Sequence, residues 1–207
     1  MWRPRASTFL ILLAGLWVFG AGEGALIAAG IGTAPWTVLA QGVARHTPLD
    51  VGGATVAISA LVLLGWIPLR QRVGLGTIAN LFVIAISLDV MARVFPHPHA
   101  YGWKLGEALA GILLVGIGGA FYLSCNLGPG PRDGWMTGLH RVTGLGIATV
   151  RTVMELVVLL GGIALGGHAG LGTALFALGV GYTLAASFRV LVWLTGPATR
   201  TAALQAR

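Results

Sequence analysis

The decapeptide Asn126-Leu-Gly-Pro-Gly-Pro-Arg-Asp-Gly-Trp135 joins two long apolar segments, and an altered copy of it stands earlier in the chain. In this copy, Gly30-Ile-Gly-Thr-Ala-Pro-Trp36, Pro35 lies 96 residues before Pro131. The same spacing, without gaps, pairs further residues: Gly42 with Gly138, Arg45 with Arg141, and Gly74-Leu-Gly-Thr77 with Gly170-Leu-Gly-Thr173. A fixed internal period of this kind indicates a duplication.

The composition is that of a membrane protein. Hydrophobic residues make up 56% of the chain and charged residues only 9%, whereas a soluble domain has about 25% charged residues. The net charge of +7 comes from single basic residues scattered at the ends of apolar segments. Because a nucleic-acid-binding surface needs clustered basic residues, we expect the lipid bilayer as partner and no nucleic acid. The fold class is therefore an all-α, polytopic membrane protein.

Six segments are apolar enough to cross a bilayer, which takes about 20 helical residues for a core of about 30 Å. They are residues 8–29, 51–69, 75–94, 105–127, 146–165 and 171–193. Two shorter segments, 35–46 and 131–142, begin with proline, which suits the first turn of a helix, and are interpreted as interfacial or re-entrant helices. We expect one membrane domain over residues 1–207, with repeat one at about 8–95, repeat two at about 104–194 and a cytoplasmic tail at 195–207.

The distribution of basic residues predicts the orientation, since cytoplasmic loops carry an excess of Lys and Arg. With the N-terminus inside, ten basic residues fall on the cytoplasmic side: Arg3, Arg5, Arg70, Arg72, Arg132, Arg141, Arg151, Arg189, Arg200 and Arg207. Three fall outside: Arg45, Arg93 and Lys104. We therefore expect a bacterial inner-membrane protein with both termini cytoplasmic. Because each repeat has three crossings, the second repeat is predicted to be inverted relative to the first.

The turn before the second short helix is a candidate binding site. Gly128, Gly130 and Pro131 precede or begin that helix, Arg132 adds a positive charge, and Asp133 follows in the first turn. Free N–H groups at a helix N-terminus suit an anion; alternatively, Asp133 caps the helix itself. The first repeat has Trp36 and Thr37 at the positions of Arg132 and Asp133, which assigns a charged site to the cytoplasmic side.

Ionisable residues inside predicted spans mark candidate pathways, because a charge in hydrocarbon is costly. Glu23 lies among glycines of the first span and has no basic residue nearby in sequence. Arg151 and Glu155, as well as Asp89 and Arg93, have the four-residue spacing of helical ion pairs. We interpret Asp89 and Arg93 as a structural pair. For Glu23 and Glu155 a packing role and a role in binding a cation or relaying a proton both stay open.

Six tryptophans lie near predicted span ends, as is typical of anchors at the membrane surface: Trp2, Trp36, Trp66, Trp103, Trp135 and Trp193. The sequence contains none of the nucleophile, Walker or zinc-protease motifs of soluble enzymes. His97 and His99 are too few for a metal site. We expect no enzyme activity, no cofactor and no metal.

The second repeat resembles a known bacterial family. The stretches Leu127-Gly-Pro-Gly-Pro-Arg-Asp-Gly134, Thr143-Gly-Leu-Gly146 and Gly170-Leu-Gly-Thr173, together with Arg151 and Glu155, are similar to the YczE/YyaS group of integral membrane proteins, related to the YitT type. The first repeat departs from the pattern, since Thr33-Ala-Pro-Trp-Thr37 lacks an acidic residue after the proline. The resemblance implies a membrane fold and names no substrate.

Inverted repeats recur in secondary transporters, with the solute site at the repeat interface. The sequence therefore favours a transporter or permease-like protein for a small solute or ion, working by alternating access. Its pathway would use Glu23, Arg132, Asp133, Arg151 and Glu155, next to the turn formed by Gly128, Gly130 and Pro131. The alternative is an accessory or scaffold membrane protein that transports nothing. A homo-oligomer is compatible with either function.

Overall fold

The computed structural model describes Trp2 and residues 4–195, with the side chain of Thr195 excepted. This part of the chain is helical: α1 Ala6–Ala29, α2 Pro35–His46, α3 Val51–Leu64, α4 Trp66–Leu69, α5 Leu75–Val94, α6 Tyr101–Ser124, α7 Pro131–Thr143, α8 Ile147–Ala164 and α9 Leu171–Thr195. Arg3, Arg200, Arg207 and nearly all of the predicted tail lie outside the described residues.

Five of these helices, α1, α5, α6, α8 and α9, are long and apolar enough to cross a membrane. A sixth crossing is reached if α2 and α3, which meet at a bend of 110°, count together as one broken span. The predicted bounds of α2 and α5 match, and those of α1, α7, α8 and α9 differ by at most two residues. The fourth predicted span, 105–127, is wrong at both ends. Its helix ends at Ser124, because the chain turns at Asn126, whose φ is 50°.

The second predicted span, 51–69, is interrupted at Gly65, where α3 gives way to the single turn of α4. The indole of Trp135 packs against Gly65 so closely that no Cβ would fit there. Its Nε1–H donates to the carbonyl of Val62 at 2.5 Å, the group that an uninterrupted helix would pair with the N–H of residue 66. A side chain inserted into the hydrogen-bond ladder is a recognised cause of a helix break.

Glycine faces hold the centre of the bundle together. Helix α1 packs along α6 and α5, and α6 packs along α9. A Cβ at Gly22 would lie 2.5 Å from the carbonyl oxygen of Gly111, and one at Gly118 would lie 2.5 Å from that of Gly15. Small residues allow such close approach of helices where the surrounding lipid supplies no hydrophobic driving force.

Corresponding residues of the two halves make corresponding hydrogen bonds. The N–H of Gly76 donates to Leu127 at 2.8 Å, and the N–H of Gly172 donates to Ile31 at 2.7 Å. Both partners of the second bond lie 96 residues from those of the first, and each bond joins one half of the chain to the other. The turns correspond too, since φ is 110° at Gly32 and 122° at Gly128.

Candidate functional site

The first turns of α2 and α7 meet in the interior of the bundle. The guanidinium carbon of Arg132 lies 5.0 Å from the centroid of the Trp36 ring, within the range of a cation–π contact. These two residues occupy matching positions of the repeats. Each helix begins with a proline, which at the first position forfeits no intrahelical hydrogen bond.

The predicted surface role of Trp36 and Trp66 is wrong. Trp36 and Trp66 are only 8% and 2% exposed, and the Nε1–H of Trp66 donates to the carbonyl of Pro131 at 3.0 Å. Trp135 donates into α3 at Val62. The rings of Trp66 and Trp135 connect α7 to α4 and α3, because an indole ring combines a large apolar surface with one N–H that needs a partner. The ring of Trp36 contacts Arg132 of α7.

Glu23 of α1 is 1% exposed and lies beside the first turns of both short helices. Its Oε2 accepts a hydrogen bond from the hydroxyl of Thr37. Its Oε1 lies 4.0 Å from Nη1 of Arg132 and accepts no hydrogen bond from the described residues. A buried carboxylate needs such compensation, yet here one of its two oxygens is left open. Sequence reasoning missed this partner because Arg132 lies in the other repeat.

Asp133 is joined to α6 by a hydrogen bond. Its Oδ2 accepts from the hydroxyl of Tyr122 at 2.5 Å. Thr37 and Asp133 are matching positions, so each repeat ties its long first helix to its short helix through one carboxylate and one hydroxyl. In the first repeat the carboxylate belongs to the long helix, and in the second it belongs to the short helix.

A cavity of about 140 Å³ lies between the two halves at this point. Its charged and hydroxyl-bearing lining residues come from both repeats: Thr55, Ser59, Tyr122, Arg132, Asp133, Arg151 and Glu155. Arg151 and Glu155 of α8 form the expected ion pair at 3.1 Å. Thr55 and Ser59 of α3 are their counterparts in the first repeat, so matching positions of the two repeats face one cavity.

Residues 6–188 match DUF6198, a family of unknown function. The chain belongs to this family. It is 44% identical to an uncharacterized protein of Haemophilus influenzae, over 87% of this chain and 83% of the relative. It is 32% identical to the uncharacterized membrane protein YczE of Bacillus subtilis, over 85% of this chain and 83% of the relative. It is 26% identical to the uncharacterized protein YyaS of the same organism, over 78% of this chain and 82% of the relative.

These relatives confirm the resemblance to the YczE/YyaS type. Together with its apolar helices, they show that this DUF6198 chain is a multi-pass helical membrane protein. No solved structure matches it.

Most of the predicted site residues of the DUF6198 chain come together. Gly130, Pro131, Arg132, Asp133, Arg151 and Glu155 line the cavity, and Glu23 joins them through Arg132. Gly128 is not among the lining residues. Its φ of 122° and the closeness of Thr77, whose Oγ1 would lie 2.8 Å from a Cβ at position 128, give it a role in the turn. Residues of both repeats line the cavity, although its charged lining residues all belong to the second repeat.

Asp89 and Arg93 form the expected pair of the DUF6198 chain, at 2.6 Å, away from the cavity lining. Arg93 also reaches Asp50 at 3.4 Å. Asp50 caps α3 by accepting the N–H of Gly53 at 2.7 Å. This hydrogen bond lowers the pKa of the Asp50 carboxyl below its ordinary value. The cluster fastens the start of α3 to the end of α5.

Proposed function

We propose that this protein is a transporter of a small polar solute, working by alternating access between two inverted repeats. The observation that carries the proposal is the cavity between the halves, where charged side chains lie among apolar helices. Ionisable groups within a membrane are costly and usually mark the path of a solute, an ion or a proton.

The inverted arrangement is supported by reciprocal contacts. When residue i of one half meets residue j of the other, and the matching j meets the matching i, a two-fold axis relates the halves. The paired bonds of Gly76 and Gly172 fit this pattern, and the contact of Trp36 with Arg132 places matching residues against each other. In this proposal α3 and α4 together form the third crossing of the first half, so that each half has three crossings and such an axis lies in the plane of the membrane. Helices α2 and α7 are then re-entrant, entering from opposite sides and meeting at their N-termini.

The chemistry of the cavity suits a small polar solute and an exchangeable proton. Two arginines, Arg132 and Arg151, face three carboxylates, those of Glu23, Asp133 and Glu155. The N-termini of α2 and α7 add partial positive charge. Because Oε1 of Glu23 has no donor among the described residues, this oxygen can accept a proton or a solute donor without breaking an existing hydrogen bond.

Purified protein in liposomes that contain a pH-sensitive dye tests the proposal. Small carboxylates, amines and inorganic ions are added outside, one at a time, under an imposed pH gradient. At least one solute should accelerate proton flux, and Glu23→Gln should abolish that acceleration. Glu107→Gln is the matched control, since the Glu107 carboxylate also has buried oxygens without a hydrogen-bond partner among the described residues, but of these two carboxylates only Glu23 forms an ion pair with an arginine that lines the cavity. Equal loss in both variants, or no response to any solute, would refute coupled transport through Glu23.

A scaffold role makes the opposite prediction. If the protein only supports a membrane complex, neutralising Glu23 and Arg132 should leave the function of that complex unchanged. Enlarging Gly22 or Gly111 should abolish it, because their backbones touch.

A further inference from the structure

The two halves differ in how their last two helices meet. In the first half, α3 packs against α5. A Cβ at Gly52 would lie 2.9 Å from the carbonyl oxygen of Ala85, and the N–H of Gly52 donates to Oδ1 of Asp89 at 3.3 Å. In the second half, the matching helices α8 and α9 are separated by a groove of about 770 Å³.

The same positions are therefore in contact in one half and apart in the other. Ala148 and Gly181 match Gly52 and Ala85 at the spacing of 96 residues. A Cβ at Gly181 would meet no heavy atom within 4 Å. The α9 wall of the groove carries small side chains that would admit α8 closely, namely Ala174, Ala177, Gly181 and Ala185.

The groove leads to the central cavity. Four residues line both spaces: Pro35, Arg151, Glu155 and Val180. The ion pair of Arg151 and Glu155 thus stands where the groove and the cavity join. Helix α8 has few buried residues of its own, Val150 and Gly162, whereas α3 buries Gly52, Ala54, Thr55 and Ser59.

We infer that the α8–α9 groove is the open gate through which the solute reaches the cavity, and that the α3–α5 contact is the same gate closed. This inference rests on the proposed transport function. In the other state of the cycle, α8 closes onto α9 while α3 separates from α5. Because the repeats share one fold, each half can adopt the arrangement that the other half shows, and this exchange reverses the access to a fixed site.

Paired cysteines test the closure directly. A disulfide needs Cβ atoms about 3.8 Å apart, and the structure holds the Cβ of Ala148 more than 4 Å from a Cβ at Gly181. In a Cys125→Ser background, Ala148→Cys with Gly181→Cys should form an intramolecular disulfide under copper–phenanthroline only as molecules close the groove. The matched control is Leu49→Cys with Gly53→Cys, where a Cβ at 53 lies 3.5 Å from the Cβ of Leu49 and where the disulfide should form at once.

The outcomes separate the alternatives. A slower but complete intramolecular disulfide at 148–181, beside a fast control, supports the gate. No disulfide at 148–181 beside a fast control overturns it and leaves a static groove, while the proton flux of the proposed transporter can still be observed. A disulfide between two chains also overturns the gate, since the groove would then be an interface between copies.

A second pair of variants tests the closing movement without introducing cysteines. Gly181→Phe would fill the open groove and prevent its closure, whereas Gly106→Phe adds the same ring at another position with no heavy atom within 4 Å. The first should abolish solute-dependent proton flux in liposomes and the second should retain it. Retention in both variants, with equal amounts of folded protein, contradicts the closing movement.

Discussion

Replacing Arg132 by glutamine removes the basic group that lies 4.0 Å from the buried carboxylate of Glu23. Two opposite unit charges at this separation attract by about 4 kcal/mol when the effective dielectric constant is about 20. Breaking a buried pair typically costs about 3–5 kcal/mol, because the remaining charge is left uncompensated. Since Arg132 is 27% exposed, we expect Arg132→Gln to lower the free energy of unfolding by about 3 kcal/mol, at the low end of that range.

The double variant decides whether the two residues act together. Unfolding in mixed detergent micelles, followed by tryptophan fluorescence, should give Glu23→Gln/Arg132→Gln a loss smaller than the sum of the single losses by about 1–3 kcal/mol. The control cycle is Asp89→Asn/Arg93→Gln. That pair is closer, at 2.6 Å, but the Arg93 side chain is 70% exposed, and exposed pairs contribute only about 0.2–1 kcal/mol. Additive losses for Glu23 and Arg132 would refute the connection between the repeats on which the site depends.

Three further changes test the surrounding structure. Gly22→Leu should reduce the yield of folded protein, since its Cβ would lie 2.5 Å from the backbone of α6 and overpacking lowers stability by about 1–3 kcal/mol. Gly102→Leu should leave the yield unchanged, because a Cβ at this position meets no heavy atom within 4 Å. Asp50→Ala should lower the free energy of unfolding by about 1 kcal/mol at pH 7, because α3 loses its N-terminal cap. Because the pKa of Asp50 is lowered in the folded state, that difference should vanish as pH falls through this pKa, as acid unfolding of both forms would show. Trp135→Phe should leave the carbonyl of Val62 without its donor, and hydrogen exchange should then increase in α3 and α4.

The duplication made much of the fold predictable. Because the spacing of 96 residues has no gaps, the prolines that begin α2 and α7 stand at matching positions, and both helices were found although neither is long enough to cross a membrane. The fourth span was misplaced because apolar residues continue past Ser124, while the turn depends on the backbone of Asn126. The break at Gly65 was missed because its cause, Trp135, lies in the other repeat.

Only part of the candidate site could be predicted, because the sequence shows its charged residues but not their partners in the other repeat. Charged residues within spans can be found by inspection, and six of the proposed positions do line one cavity. Their partners cannot be found in this way, since Glu23 meets Arg132 across the repeats and Tyr122 appears in sequence as one more apolar aromatic residue. Trp36 looked like a surface anchor. Its position opposite Arg132 in the alignment of the repeats was the one signal that could have marked it.

Two serines test most directly whether the cavity between the repeats is a hydrated pathway. Ser59 lines the cavity, whereas Ser87 is 0% exposed and donates to the carbonyl of Trp17 in the packed contact of α1 with α5. Each is changed to cysteine in a Cys125→Ser background and exposed in membranes to a charged, membrane-impermeant methanethiosulfonate. A transport pathway predicts that Ser59→Cys reacts from at least one side and Ser87→Cys from neither. Failure of both to react would mean a dry bundle, contradict transport, and leave the scaffold role.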